Sequence, residues 1–160
     1  MPEAYVALGS NLDDPTVQVE RGFEALARLP HTTLQARSRL YRTPPWGVVD
    51  QPDFINAVAS LETALAPRDL LEALLAIETR AGRVRGARYG PRTLDLDLLL
   101  YGDSPVRESG MEIPHPRLHE RSFVLLPLAD LAPDLEVPGH GRVADLLARV
   151  DASGCTPLAR

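Results

Sequence analysis

The segment from Thr93 to Leu100 alternates between leucine and other residues with a period of two. Such a period is typical of a β-strand whose two faces meet different surroundings. Leucines 94, 96, 98 and 100 are predicted to face one way, and Asp95, Asp97 and Leu99 the other. The chain must therefore contain a sheet with one apolar face and one face that carries paired carboxylates.

Other segments extend this pattern in a regular order. Strands are predicted for Tyr5–Leu8, Leu34–Leu40 and Phe54–Leu61, and helices from Pro15 to Pro30, with Asp14 as the cap, and from Pro67 to near Gly82. The resulting βαββαβ order predicts an α+β, ferredoxin-like sandwich with a mainly antiparallel sheet. We expect both helices on one face and the other face open for a ligand. C-terminal additions are predicted as a short strand at Glu112–Ile113 and helices at Arg121–Leu131 and Val143–Val150.

Composition limits the class of protein. The 160 residues, 44% of them hydrophobic, fit a single domain spanning 1–160. A net charge of -5 gives no overall footprint for nucleic acid, and no stretch approaches the length that spans a bilayer. We expect a cytoplasmic monomer that acts on small molecules, with no nucleic-acid or membrane partner.

Lysine is absent, so all 17 basic side chains are arginine. A phosphate-binding P-loop needs its lysine, and Schiff-base chemistry needs an amine. Both are excluded, and arginine must supply any cationic contact to a ligand.

Asp95 and Asp97 share one strand face, roughly 6–7 Å apart along it. Mg²⁺ prefers oxygen ligands and commonly takes one or two carboxylates, with phosphate and water completing the shell. The preceding loop, GRVRGARYGPR, brings Arg83, Arg85, Arg88 and Arg92 beside the pair, as a metal-bound triphosphate would require. Two other readings remain open: a solvated strand face, and arginines that simply pair with these aspartates and Glu78.

Two further segments are candidates for ligand contact. His115 lies between prolines, with Arg117, Arg121 and Phe123 following, but no second histidine has the spacing of a zinc site. The segment from Thr43 to Trp46, with Phe54 and Asn56 beyond it, offers rings and an amide that suit a flat heterocycle. A loop histidine and a core aromatic beside a turn are the alternative interpretations.

Taken together, the motifs ALGSNL, YRTPPWG, QPDFINAV, GRVR, GPRTLDLDLLLYG and IPHPRLHERSFVLLPLADLAPDL resemble the 6-hydroxymethyl-7,8-dihydropterin pyrophosphokinases. The resemblance covers nearly the whole chain. It implies an enzyme of folate biosynthesis that transfers diphosphate from ATP to the hydroxymethyl oxygen of the pterin and releases AMP. We see no committed general base. A nucleotidyltransferase and a non-catalytic ligand sensor are the rival readings.

The resemblance also implies roles for individual residues. Asp95 and Asp97 are expected to hold two Mg²⁺ ions on ATP, and to act in catalysis with Arg83 and Arg92. The nucleotide is expected to contact Glu78, Arg83, Arg85, Arg92, His115 and Arg121. The pterin is expected to contact Thr43, Pro44, Pro45, Trp46, Phe54, Asn56 and Phe123.

The chain departs from the family pattern at several positions. Phe54 replaces a common tyrosine, which preserves stacking, and Tyr89 stands where tryptophan is frequent. The loop between Arg85 and Tyr89 is one residue shorter than in another family member, and Glu112 replaces a small polar residue. Tyr89 and the shortening affect a loop that closes over substrate in the family, and Glu112 changes the charge near ATP. The predicted metal ligands are unchanged.

Overall fold

The computed structural model describes residues 2–12, 14–44, 51–82, 93–103 and 105–158. The strands are β1 Glu3–Ser10, β2 Thr32–Arg37, β3 Tyr41–Thr43, β4 Phe54–Thr63, β5 Asp95–Tyr101, β6 Val106–Glu108, β7 Met111–Ile113, β8 Glu136–Val137, β9 Gly141–Arg142 and β10 Thr156–Pro157. The helices are α1 Pro15–Ala27, α2 Pro67–Arg80, α3 Ser122–Leu131 and α4 Val143–Leu147, with a 3₁₀ turn at Leu118–Glu120.

The main sheet has the order β10-β3-β4-β1-β5, with β2 also pairing with β4, and its strand pairs are all antiparallel. Strands β2 and β3 occupy successive parts of the same edge of β4. The order therefore corresponds to the ferredoxin-like arrangement, and the predicted fold class is confirmed. Two small hairpins, β6–β7 and β8–β9, lie outside this sheet.

Helices α1 and α2 cover one face of the sheet, as predicted. Pro15 and Pro67 occupy the first helical turns, where their missing N–H groups cost nothing. The core between helices and sheet contains Val6, Leu8, Phe23, Leu26, Ala59, Leu61, Leu70, Leu74, Ile77, Leu94, Leu96 and Leu98. Asp14 does stand at the cap position of α1, but its backbone has φ 60° and its side chain makes no capping hydrogen bond, so the predicted side-chain cap is wrong.

The opposite face of the sheet is only partly open, which corrects the expectation of a free face. A second buried cluster joins Tyr5, Val58 and Leu99 of the sheet to the C-terminal region. The C-terminal members of this cluster are Leu118, Val124, Leu125, Leu128, Val137, Val143 and Leu146. Helix α3 is strongly apolar because it must bury one side on this sheet face and another on α4. The described members of this cluster do not include Asn56 and Asp95, which lie toward the other end of the same face.

A bulge in β5 changes the direction of its last side chains. Val6 pairs with Leu98 and Tyr5 with Leu100, so Leu99 is an extra residue opposite β1. The predicted position of Leu100 on the helix side is therefore wrong, since Leu100 packs with Leu99 in the second cluster and Tyr101 returns to the first. The carbonyl oxygen of Leu99 accepts a hydrogen bond from the backbone N–H of His115, at 3.0 Å.

The predicted strand Leu34–Leu40 is too long at its end, since β2 stops at Arg37 and a break divides this edge of the sheet into β2 and β3. The pairing of β2 with β4 shifts between Leu34 and Ala36, and β3 begins only at Tyr41. At the division Ser38 donates its N–H to the Val58 carbonyl and accepts the Val58 N–H on its hydroxyl oxygen, each at 2.9 Å. The side chain of Ser38 thus replaces a backbone acceptor, and the edge can bend without leaving the Val58 amide unpaired.

The C-terminal predictions agree with the structure in type and closely in extent. The strand at Glu112–Ile113 is part of β7, α3 begins one residue after the predicted start, and α4 ends at Leu147 rather than Val150. In the parts of the chain that the structure describes, none of the helices has the length and apolar character needed to cross a membrane.

Candidate active site

Three residues form a row across the face of the sheet that lies opposite the helices. Gly9 in β1 is the partner of Asn56 in β4 on one side and of Asp95 in β5 on the other. Both side chains point away from the helices, because their sequence neighbours Ile55, Ala57, Leu94 and Leu96 belong to the helix-side core. Two strand spacings separate them, about 10 Å.

Gly9 lies at the centre of this row. A Cβ atom at this position would lie 2.8 Å from Oδ1 of Asn56, which is closer than carbon and oxygen atoms normally approach. The absence of a side chain therefore lets the Asn56 amide occupy its position, and Gly9 itself puts no side chain on the floor between Asn56 and Asp95.

The carboxylates of Asp95 and Asp97 have the arrangement that the alternation predicted. Both are half-buried, and Asp97 lies next along the same face, paired with Ala7. Between them, the backbone N–H of Leu96 donates to Oε2 of Glu78 at 2.7 Å. Glu78 comes from α2 and is only 2% exposed. The structure thus places Glu78 beneath the strand that carries the two aspartates.

Thr43 and Asn56 are joined on the other side of Gly9. Nδ2 of Asn56 donates to Oγ1 of Thr43 at 2.6 Å, and both side chains are buried. Phe54 is the direct partner of Thr43 across β3 and β4, and Pro44 follows in an exposed position. These four predicted substrate residues therefore lie together. Predicted residues Pro45 and Trp46 lie outside the described residues.

His115 is held beside the aspartate strand by the bulge at Leu99. Its Nδ1 accepts the backbone N–H of Arg117 at 3.2 Å, so a neutral imidazole carries its proton on Nε2. Burial, with Arg121 next, lowers the pKa of His115 to about 4, and Asp95 and Glu112 act in the opposite direction. His115 is thus a neutral donor near pH 7.

Arg121 and Phe123 lie at the start of α3. The guanidinium carbon of Arg121 is 5.6 Å from the ring centre of Phe123. Nε of Arg121 is buried and has no hydrogen-bond partner among the described residues. A buried guanidinium nitrogen without a partner is costly unless a ligand satisfies it, so this group is suited to an anion. Arg83, Arg85 and Arg92, predicted for the same purpose, fall outside the residues that the structure describes.

Two groups of residues at the site were missed by the sequence analysis. Nδ2 of Asn11 donates to Oε1 of Gln51 at 2.7 Å and to the Pro52 carbonyl at 3.0 Å, which holds the start of the chain leading into β4. Asn11 belongs to the ALGSNL motif, in which the sequence alone indicated no role for the asparagine.

The second group joins β3 to α3. The Tyr41 hydroxyl donates to Oδ2 of Asp130 at 2.8 Å, and Arg39 contacts Asp130 at 3.1 Å. Burial, with Asp130 next, raises the pKa of Tyr41 to about 12. These contacts join two elements that are far apart in the sequence, and no local sequence pattern indicates them.

The described residues contain no group of three or more histidine, cysteine, aspartate or glutamate side chains that could hold a metal ion. The described residues thus give the site a pair of half-buried carboxylates, with a neutral imidazole and a guanidinium nearby. Such a pair can bind a hard cation whose other ligands come from a phosphate-bearing substrate and water.

Comparison with known proteins gives a consistent match. The model of the protein family described as 7,8-dihydro-6-hydroxymethylpterin-pyrophosphokinase (HPPK) matches residues 5–133. A 2-amino-4-hydroxy-6-hydroxymethyldihydropteridine pyrophosphokinase of Pseudomonas aeruginosa is 52% identical over 154 residues, covering 96% of this chain and 95% of the relative. The protein of the same name from Methylorubrum extorquens is 46% identical, covering 96% and 97%.

Solved structures show the same fold. The Plasmodium falciparum HPPK-DHPS structure with pterin and p-hydroxybenzoate has a TM-score of 0.73 at 16% identity and covers 92% of this chain. Only 43% of that longer chain is covered, so this protein spans less than half its length. Together with the family match and the identity to the curated relatives, the fold leads to one conclusion. The chain belongs to the 7,8-dihydro-6-hydroxymethylpterin pyrophosphokinase family and is an enzyme that transfers diphosphate.

Proposed function

We propose that the protein catalyses the Mg²⁺-dependent transfer of diphosphate from ATP to the hydroxymethyl group of 6-hydroxymethyl-7,8-dihydropterin. The products are AMP and the pterin diphosphate, and the reaction belongs to folate biosynthesis. In this proposal residues 1–160 act as one domain and as a monomer in the cytoplasm, on small-molecule substrates alone.

The row of Asn56, Gly9 and Asp95 carries the proposal. It sets an amide suited to a heterocycle and a carboxylate suited to a cation on one sheet face, about 10 Å apart. Because Gly9 puts no side chain between them, an acceptor on Asn56 and a phosphate chain at Asp95 can meet over the same floor. A transfer reaction between two bound substrates needs such an arrangement.

Asp95 and Asp97 fit a magnesium site by the chemistry of their donor set, since hard cations take carboxylate oxygens together with phosphate oxygens and water. In the proposal these two residues hold both ions, and the bound ions supply charge neutralisation on the triphosphate. Glu78 supports the pair through the Leu96 amide, which keeps the strand backbone in place between them.

The nucleotide phosphates are proposed to contact His115 and Arg121. His115 is kept neutral, with Nδ1 already accepting a hydrogen bond, so Nε2–H is the group that can donate to a phosphate oxygen. The buried Nε of Arg121 would gain its missing partner from an anion. Arg83, Arg85 and Arg92 are proposed to complete the anion contacts, with Arg83 and Arg92 acting in catalysis.

The pterin is proposed to bind beside Thr43 and Asn56. Their mutual hydrogen bond fixes the amide, whose remaining polar atoms can recognise the edge of a heterocycle. Phe54 and Phe123 are proposed to supply aromatic faces for the ring, together with Pro44, Pro45 and Trp46.

In the transfer itself, the hydroxymethyl oxygen attacks the β-phosphorus of ATP. The bond from that oxygen to the β-phosphorus forms, the bond from the β-phosphorus to the α,β-bridging oxygen breaks, and AMP leaves with that oxygen. The hydroxymethyl proton is released. Such transfers depend mostly on alignment and charge stabilisation, so the side chains described here act by binding and orienting rather than as a committed base.

Incubation of the purified protein with ATP, Mg²⁺ and 6-hydroxymethyl-7,8-dihydropterin tests the proposal, with products separated by chromatography. We expect AMP and the pterin diphosphate in equal amounts, and neither product when the metal is chelated. Release of pyrophosphate instead of AMP would indicate nucleotidyl transfer, and binding without any product would indicate a sensor.

A further inference from the structure

The last described part of the chain, Ala152–Leu158, forms a short segment that we call the C-terminal strap. It contains β10 and lies beyond residues 5–133, the part that the family model matches. The strap is nevertheless in contact with both sides of the proposed pterin site.

The strap pairs with the strand that ends at Thr43. In this pairing Thr156 is the partner of Arg42, and Pro157 is the partner of Tyr41. The backbone N–H of Leu158 also donates to the Leu40 carbonyl at 2.9 Å. A three-residue strand such as β3 has few hydrogen bonds of its own, so pairing on its outer edge restricts its position.

The strap next reaches the segment that follows β3. A Cβ atom at Gly154 would lie 3.4 Å from both Cγ and Cδ of Pro44. The backbone of Gly154 therefore lies beside the Pro44 ring, and the first atom of a side chain at this position would already be in van der Waals contact with that ring.

The same turn contacts the start of α3. Sγ of Cys155 is 3.7 Å from Oγ of Ser122, the residue before Phe123. The N–H of Cys155 donates to the Ala152 carbonyl at 3.0 Å, which closes the turn and fixes the distance between its two contacts. One turn thus connects Pro44 on one side with the helix that carries Phe123 on the other.

We propose that the C-terminal strap is a positioning element for the acceptor substrate, which sets the distance between the Thr43–Pro44 segment and Phe123. The proposal rests on the proposed function, since it takes these residues as the walls of the pterin site. It assigns no role in nucleotide binding to the strap, because the strap's contacts described above lie on the side of Thr43 and Phe123 rather than at Asp95, Asp97 and His115.

Gly154→Val tests this role, because it adds two methyl groups beyond a Cβ that would already touch the Pro44 ring. We expect KM for the pterin, and its dissociation constant measured with a non-hydrolysable ATP analogue, to rise about tenfold, with KM for ATP unchanged. Ser153→Thr is the matched control, since it adds a methyl group at the neighbouring exposed position and keeps the hydroxyl that bonds Asp151, and it should leave both KM values as in the wild type. If Gly154→Val does not fold, Gly154→Ala adds only the atom that meets Pro44.

A double-mutant cycle identifies the residue through which the strap acts. Pro44→Ala removes Cγ and Cδ, so in that background Gly154→Val should no longer change the affinity for the pterin. Equal changes in pterin and ATP constants would show a general structural effect and overturn the proposal, as would wild-type pterin affinity in a folded Gly154→Val protein. A wild-type protein that binds the pterin without forming product would contradict the proposed function instead, and the binding constants would still test the strap.

Discussion

Gly9 and Asn56 face each other across adjacent strands, and Oδ1 of Asn56 occupies the space that a Cβ at Gly9 would need, at 2.8 Å. We therefore predict that Gly9→Ala displaces the Asn56 amide and weakens pterin binding, with ATP-analogue binding unchanged. Titration calorimetry with each ligand would measure both effects. In an Asn56→Ala background the stability cost of Gly9→Ala should fall, giving a coupling energy of about 0.5–3 kcal/mol.

The control for this prediction is Gly22→Ala. A Cβ at Gly22 would also approach a neighbour at 2.8 Å, but that neighbour is Leu8 in the helix-side core. Both variants should unfold at lower urea concentration, and only Gly9→Ala should lose pterin affinity. A Gly9→Ala protein with wild-type affinity would show that Asn56 can move without consequence.

Asp95→Asn and Asp97→Asn are each predicted to lower kcat by at least ~100-fold, because each replaces a charged oxygen ligand by a neutral amide. Neither removes core volume, so urea midpoints should stay near wild type. Asp103→Asn provides a control at an exposed turn just after the same strand, and should retain activity. Wild-type turnover in either aspartate variant would exclude that residue as a required ligand.

Glu78→Ala is predicted to cost about 1–3 kcal/mol of stability, because it leaves the buried Leu96 N–H without its acceptor. Glu78→Gln keeps an acceptor oxygen and should remain closer to wild type in urea unfolding. We also expect Glu78→Ala to need more Mg²⁺ for half-maximal activity, since Leu96 separates the two aspartates that are proposed to bind the metal. If both variants had the same stability, the hydrogen bond to Leu96 would contribute little to the free energy of unfolding.

His115 gives a prediction for the dependence of stability on pH. Its pKa in the folded protein is about 4, below the ordinary value of 6.5, mainly because of burial. As pH falls below 6.5 the unfolded chain takes up the proton first, so this contribution to stability is lost between about pH 6.5 and about pH 4.

The experiment compares urea midpoints at about pH 7.5 and about pH 5, without ligands. His115→Gln should lose less stability on acidification than the wild type. An equal acid sensitivity of the wild-type and His115→Gln proteins would mean that His115 is not held neutral by the fold.

The sequence predicts those parts of the structure that depend on local periodicity. One face of β4 and of the first half of β5 contacts two amphipathic helices, which requires apolar residues at alternate positions. The alternation in the sequence therefore predicted the side of the sheet on which Ile55, Ala57, Leu94 and Leu96 lie. The same alternation placed Asp95 and Asp97 on one face. The prolines at the helix starts predicted where α1 and α2 begin, because the fixed φ of proline suits the first turn of a helix.

The features that could not be predicted depend on contacts between distant segments. The bulge at Leu99 exists because β1 pairs with both halves of β5 in different registers, which β5 alone does not reveal. Helices α3 and α4 cover part of the second sheet face. The spacing of their apolar residues does not indicate which surface they pack against. The contact of Tyr41 with Asp130 joins residues 89 positions apart.

The bulge at Leu99 restricts how the length of this strand can change. Asp97 must face the side of the sheet opposite the helices, and two residues later the Leu99 carbonyl must meet the His115 N–H. An inserted or deleted residue in this interval would turn either the carboxylates or the His115 contact to the wrong side, because each one-residue shift reverses the faces of a strand. Length variation should therefore be tolerated in the exposed turn after Tyr101, and a one-residue deletion between Asp97 and Leu99 should eliminate activity even in a chain that still folds.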